Sequence, residues 1–218
     1  KKIENADIFI QNGLGLEIFM DKIFTIYPNL KVLDASINIK NVIKEDEVNP
    51  HVWTSIENYI NQVKEISQVL IQQNSENKQI YEENTEKYIK DLEKVEKQYE
   101  EISQELNGQK AICLNEALEY LAKDIKLEYI SLHTDHDENS MSAESIKNII
   151  NKMNTENIKI ILIGKDDSIK NAEILANETN AKIYKLDTVL TGATDKSAYI
   201  DAANRNLEVL KSVLGDEK

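Results

Sequence analysis

"IYEENTEKYIKDLEKVEKQYEEISQEL" occupies residues 80–106 and is built almost wholly from Glu, Lys, Gln and Tyr. Within it Tyr88, Leu92, Val95, Tyr99, Ile102 and Leu106 recur four and three apart, which lines them up on one face of an α-helix. At the α-helical rise such a helix is roughly 40 Å long. The stripe persists for fewer heptads than a coiled coil needs, so a single long helix laid along a globular body is the simpler expectation.

The text on either side of this helix reads as α/β. Upstream, "ADIFIQNG" (6–13) and "LKVLDA" (30–35) are short apolar runs closed by turn residues, and "LGLEIFMDKIFTI" between them has helical spacing, which makes one β-α-β unit. A polar stretch over 36–49 then leads to Pro50, suited to a first helical turn. After it Ile56, Ile60, Val63, Ile66 and Leu70 mark one helix face. Downstream, "NGQ" (107–109) ends the long helix. Four strand-like runs, "KAICLN", "LEYISL", "IKIILIG" and "AKIYKLD", alternate with helical stretches at 116–123, 142–153 and 166–179, and a last amphipathic helix begins near Ser197. In it Tyr199, Ala203, Leu207, Leu210 and Leu214 face the core. Alternation at this spacing predicts a parallel sheet flanked by helices. The expected division is a partial N-terminal α/β lobe over 1–79, a connecting helix over 80–106 and a C-terminal α/β lobe over 107–218.

Composition limits the function. Thirty-nine acidic against 26 basic side chains give a formal net charge of -13, which disfavours nucleic acid and anionic membranes as partners and leans toward a cation. Cys113 is the single cysteine, so an intrachain disulfide and a cysteine-rich metal site are both excluded. Any metal must be held by nitrogen and oxygen. No P-loop, GxGxxG, GxSxG, HExxH or zinc-finger spacing occurs, and Gly13 and Gly15 in "NGLGLE" read as a tight strand-to-helix turn rather than a phosphate loop.

Ligands of open α/β folds sit beyond the carboxyl ends of the strands, which directs attention to a few residues. Asn115 and Glu116 follow the first strand of the second lobe. His133, Asp135, His136, Asp137 and Glu138 follow the second, Lys165, Asp166 and Asp167 the third, and Asp187 the fourth. "HTDHDE" has the residue types that suit Zn, Mn or Ni, though an acidic loop ahead of a helix explains it equally well. Asp166 and Asp167 are explained as a helix start. His51, alone at the start of a helix, is by spacing more simply a surface or capping residue than a ligand.

The motifs taken together change that weighting. Pro50-His51-x-Trp53 with Asn58, then Tyr81, Asn84, Tyr88, Leu92 and Val95 along the long helix, resemble the metal-binding lipoproteins of zinc and manganese ABC importers, the cluster A-I substrate-binding proteins. "IENADIFIQNGLGLE" and "LDTVLTGATDKSAYIDAANRNLEVL" resemble the same family at either end, so the likeness covers essentially the whole chain. It implies two α/β lobes with parallel sheets flanked by helices, joined by one long rigid helix, with the ion in the cleft between lobes. Of the family's four ligands, His51 matches the second and Asp187 the fourth. Asn115 stands at the third, where an amide oxygen is a poorer transition-metal donor than imidazole or carboxylate, with Glu116 as the neighbouring substitute. The first ligand precedes the segment where this sequence begins, and with it about two strands of the N-terminal lobe. That incompleteness leaves exposed sheet edges, a cue for self-association.

The implied function is the receptor component of an importer for zinc or manganese, carried as transported ligand rather than cofactor and handed to a membrane ABC permease. The implied setting is extracytoplasmic, as a cell-surface lipoprotein or periplasmic protein. Trp53 is expected to orient His51 or simply to fill the core. A second reading is a degenerate relative with weak or no metal binding that serves in surface interaction or adhesion. An enzyme is the least supported, since no base and nucleophile pair stands out.

Overall fold

A computed structural model of the protein describes residues 3–44, 47–132 and 142–216. The chain divides into two compact units, residues 1–93 and 94–218, and the division falls inside the long helix.

In the first unit, strands β1 (Ile8–Gln11) and β2 (Lys31–Asp34) pair in parallel, with Ile8 opposite Lys31 and Gln11 opposite Asp34. The crossover is less helical than its spacing predicts: a 3-10 turn at Ile18–Met20 and then only the six residues of α1 (Asp21–Ile26). The reason is local. Gly13, Leu14 and Gly15 all have positive φ, so three successive residues turn left-handed before any helix can start. Glu17 closes that turn by accepting from the backbone amides of Asn12 and Gly13 at 2.6 and 3.1 Å. A side chain at position 13 would be doubly excluded, because φ is +87° and a Cβ would lie 2.0 Å from Asp34 Oδ1. Tyr27, held out of the helical region by Pro28, ends α1.

Among the described residues this sheet has two strands, so each has one unpaired edge. Ile10 and Val32 on the strands, and Ile18, Phe19 and Ile26 on the crossover, are exposed. Helix α2 (Ile56–Gln73) starts later than Pro50, because Ser55 in extended conformation caps it by accepting from the Asn58 amide. Pro50 instead leads into a separate 3-10 turn, Val52–Thr54. Ile56 and Ile60 of the expected face are buried, while Val63, Ile66 and Leu70 are half-buried.

Helix α3 (Lys78–Leu106) runs 29 residues, as its periodicity predicts. Leu92, Val95, Tyr99, Ile102 and Leu106 are buried by the chain itself, so the stripe is core and not a seam for a partner helix. Within the second unit the Tyr99 hydroxyl donates to the Ala203 carbonyl at 2.8 Å and ties α3 to the last helix.

The second unit is a four-stranded parallel sheet in the order β4-β3-β5-β6, formed by β3 (Lys110–Cys113), β4 (Glu128–Ser131), β5 (Ile160–Gly164) and β6 (Lys182–Leu186). Helices α4 (Glu119–Asp124), α5 (Ala143–Glu156), α6 (Lys170–Thr179) and α7 (Ala198–Asp216) complete the alternation. Every residue of β5 is buried, which its unbroken apolar run "IILIG" requires of a central parallel strand. Ile112, Ile161 and Ile163 pack with Met153, Ile158 and Leu175 as the core. On α7, Tyr199, Ala203, Leu207 and Leu210 are buried as expected; Val213 is buried too, and Leu214 is half-buried.

Two helix starts differ from their spacing. The stretch expected at 116–123 opens as a 3-10 turn, Glu116–Leu118, before α4. Asp166 and Asp167 do not open α6, which begins at Lys170, because the Asp167 carboxylate turns back to accept from the Gly164 amide at 2.8 Å. The chain leaves β3 for β4 on one side and returns to β5 on the other, so the sheet has its topological switch point between β3 and β5. That is where ligands of such sheets bind. Among the described residues no helix is long and apolar enough to cross a membrane.

Ile161 is fully buried at the centre of this sheet. An Ile161→Ala variant is expected to lose about 2–5 kcal/mol of unfolding free energy in urea denaturation, the cost of a large-to-small core substitution.

Candidate metal centre

His51 is held by backbone and amide groups of the first unit. At the end of β1, Asn12 donates from Nδ2 to the Pro50 carbonyl at 2.9 Å, and its own Oδ1 accepts from Gln62 Nε2 of α2 at 2.8 Å. The residue ahead of the histidine is therefore fixed between strand and helix. The His51 carbonyl in turn accepts from Thr54 Oγ1 at 3.0 Å, and the imidazole meets Trp53 edge to face, with ring centroids 5.2 Å apart and 61° between planes. Only 8% of His51 is exposed. Trp53 thus touches the ring directly.

Asn49 decides which ring nitrogen can bind a metal. Its Oδ1 lies 3.0 Å from the His51 backbone N and 3.0 Å from Nδ1. A backbone N–H only donates, so the Asn49 atom facing it is an acceptor, and Nδ1 must carry its proton to satisfy the same oxygen. In the neutral ring the lone pair then resides on Nε2. A neutral imidazole with one nitrogen fixed as donor to a neighbouring oxygen is the state that metal-ligating histidines need.

The other two candidates stand in the second unit, each at the carboxyl end of a strand. Asn115 follows β3 and caps the 3-10 turn after it: Oδ1 accepts from the Ala117 amide at 2.8 Å, and Nδ2 donates to Asp167 Oδ2 at 2.8 Å. Its amide is oriented by the turn it caps, which agrees with its being a poor donor to a cation. Glu116, the neighbouring substitute, is exposed. Beneath Asn115, Cys113 is fully buried and donates to the Asn115 carbonyl at 3.2 Å; burial pushes its thiol up to about 12, so it stays protonated.

Asp187 follows β6 and has 3% of its side chain exposed. Oδ2 receives both Lys165 Nζ and Arg205 Nη2 at 2.9 Å, and Oδ1 accepts from the Val189 amide at 2.9 Å. Asn206 of α7 fixes the backbone on both sides, accepting from the Asp187 amide at 2.6 Å and donating to its carbonyl at 2.9 Å. Burial would raise the Asp187 carboxyl, but the bonds from Lys165, Arg205 and Val189 outweigh it and hold it below the usual carboxylate value. The group is a carboxylate, as a metal ligand must be, and it already has cationic partners.

Asn115 and Asp187 share the carboxyl edge of one sheet, each bonded to the loop after β5, through Asp167 and Lys165 respectively. His51 belongs to the first unit. Among the described residues no three His, Cys, Asp or Glu side chains gather into a metal-holding group. His133, Asp135, His136, Asp137 and Glu138 lie outside the described residues. Sequence reading passed over Asn12, Asn49, Arg205 and Asn206. One signal was there to use: Arg205 is the only arginine in 218 residues.

Comparison with known proteins follows the same lines. The sequence profile of the family described as "Zinc-uptake complex component A periplasmic" matches residues 1–213. The high-affinity zinc uptake system protein ZnuA of Bacillus subtilis (strain 168) is 31% identical over 172 residues, 77% of this chain and 54% of that protein, so the match spans about half of that relative's length. A metal ABC transporter substrate-binding lipoprotein of Lactococcus lactis is 23% identical over 225 residues, 95% of this chain and 72% of the relative. Among solved structures, the metal-dependent lipoprotein YcdH from Bacillus subtilis superposes with a TM-score of 0.81 at 27% identity, covering 97% of this chain and 81% of that one. The chain's two units of parallel sheet and flanking helices, its Pro50-His51-x-Trp53 segment and the match over residues 1–213 assign it to one family, the zinc-uptake complex component A family.

Proposed function

We propose that the protein is the ion-binding receptor of an ABC importer for a divalent transition metal such as zinc or manganese, with His51, Asp187 and Asn115 as its ligand positions. The observation that carries this reading is the Asn49–His51 pair, which sets the imidazole to the tautomer whose lone pair is on Nε2. His51 contributes a neutral nitrogen, Asp187 supplies the charge that offsets the ion's, and Asn115 contributes at most a neutral oxygen. Nitrogen and oxygen donors of this kind suit zinc and manganese alike.

Capture and release involve no bond-making in the cargo. The family is one of transport receptors, and the one thiol of the chain is buried and protonated rather than poised as a nucleophile. The ion is passed to a membrane permease, and the receptor works outside the cytoplasm, anchored as a lipoprotein or free in the periplasm. An adhesin that has lost its metal is not favoured, since the family and the relatives above are named for metal uptake. Self-association is a further part of the reading: the edges of β1 and β2 that are unpaired among the described residues, beside exposed Ile10 and Val32, offer a surface for a second chain.

Mass spectrometry of the purified protein, followed by competitive titration with Zn and Mn, is expected to find a single site that His51→Ala abolishes. Binding by that variant equal to the unaltered chain's would overturn the receptor reading. Affinity should also fall on acidification, because a second proton on the ring removes the lone pair.

Asn49→Ala is expected to weaken metal affinity by about 10- to 100-fold, the usual effect of removing the partner that orients a ligating histidine. Circular dichroism should remain unchanged, which separates loss of the ring's orientation from loss of the fold.

A further inference from the structure

We infer that Lys165 is an internal cation that occupies the Asp187 carboxylate and must be displaced by an arriving metal ion, so that it sets how tightly the ion is held. This rests on the receptor reading above and adds to it a residue that works against binding.

The carboxylate is unusually committed. Lys165 Nζ and Arg205 Nη2 both contact Oδ2 at 2.9 Å, and Val189 N contacts Oδ1 at 2.9 Å. Two positive charges thus face one negative one on a side chain that is 3% exposed. A dication brought to the same oxygen would meet both at contact distance and be repelled by each. Both oppose an ion that settles there, and the one held more tightly opposes it more.

Of the two, Lys165 has the stronger hold. Its side chain is 34% exposed against 60% for Arg205, so more of the arginine's charge is screened by water. Lys165 also has its backbone amide fixed, donating to the Leu186 carbonyl at 2.7 Å, which keeps the root of its side chain beside Asp187. Its flexible stem ends in a compact charge, and two carboxylates stand on its own loop. Asp166 accepts from Thr191 Oγ1 at 3.0 Å, and Asp167 Oδ2 accepts from Asn115 Nδ2 and the Gly164 amide. A displaced ammonium therefore has acceptors within its own turn.

The consequence is a seat that is never an unpaired buried charge. With no metal, Lys165, together with Arg205, neutralises Asp187 and spares the fold the cost of an unpaired buried charge. With metal, the ammonium gives way. Affinity is lowered by the free energy of that exchange.

The test is calorimetric titration of the metal-free protein with Mn²⁺ and, separately, Zn²⁺. Lys165→Met is expected to bind about tenfold tighter than the unaltered chain, and Arg205→Met to gain less. Lys165→Arg, which keeps the charge, should stay near the original affinity. Lys185→Met removes the same charge from an exposed position on β6 and should change nothing. Without metal, Lys165→Met should melt lower than the unaltered protein, and saturating Mn²⁺ should close the gap. Should that variant misfold, Lys165→Gln serves in its place. Binding no tighter in the Lys165 variants, or an equal gain in Lys185→Met, overturns the inference. The two readings separate cleanly: binding that His51→Ala abolishes but Lys165→Met leaves unchanged removes only the role of Lys165, whereas no binding in any chain removes the receptor reading itself.

Discussion

A carboxylate with 3% of its side chain in contact with solvent has to be protonated or met by cations, and at Asp187 the second solution organises one whole edge of the sheet. Lys165 comes from the loop after β5, Arg205 and Asn206 from α7, and Val189 from the turn beyond β6. Three separate segments converge on one residue, with Lys165, Arg205 and Val189 on its carboxylate and Asn206 on its backbone. A buried ion pair of this sort adds little net stability over an apolar replacement, so its meaning is positional: it fixes where charge stands on the carboxyl edge.

The first unit reaches a comparable fixity without charge. Asn12 bridges Gln62 and the Pro50 carbonyl, and Asn49 bridges the amide and ring of His51. The side chains that make these links, Asn12, Gln62 and Asn49, are all neutral amides. The two units thus present chemically distinct donors, a neutral nitrogen on one and a charged oxygen on the other. Neutral imidazole nitrogen and carboxylate oxygen are both donor types that suit divalent transition metals, the carboxylate also offsetting part of the ion's charge.

What the sequence disclosed follows from the range of each interaction. The stripe on α3 and the apolar run of β5 are repeated local signals, and both elements stand where their spacing put them. The crossover of the first unit was overread as helix because left-handed backbone at Leu14, between two glycines, has no compositional mark. Asp166 and Asp167 looked like a helix start, yet the Asp167 side chain is taken by a backbone amide three residues upstream. At the site, His51 was legible only through its neighbours in Pro50-His51-x-Trp53. The cations on Asp187 lie 22 residues before it and 18 after, a separation that no periodicity can reveal. They are a product of the sheet order, which brings the ends of β5 and β6 side by side.

Cys113 bears on how the molecule can be studied. Its sulfur is wholly enclosed at the end of β3, and burial keeps it protonated well above neutral pH. No other cysteine exists in the chain. Oxidants and alkylating reagents therefore meet no sulfhydryl on the folded surface, and soft metals that seek thiolate find none. A protein with one thiol behaves as though it had none until β3 is uncovered. Labelling of that single atom then becomes a clock for opening of the second unit, with no engineered probe required.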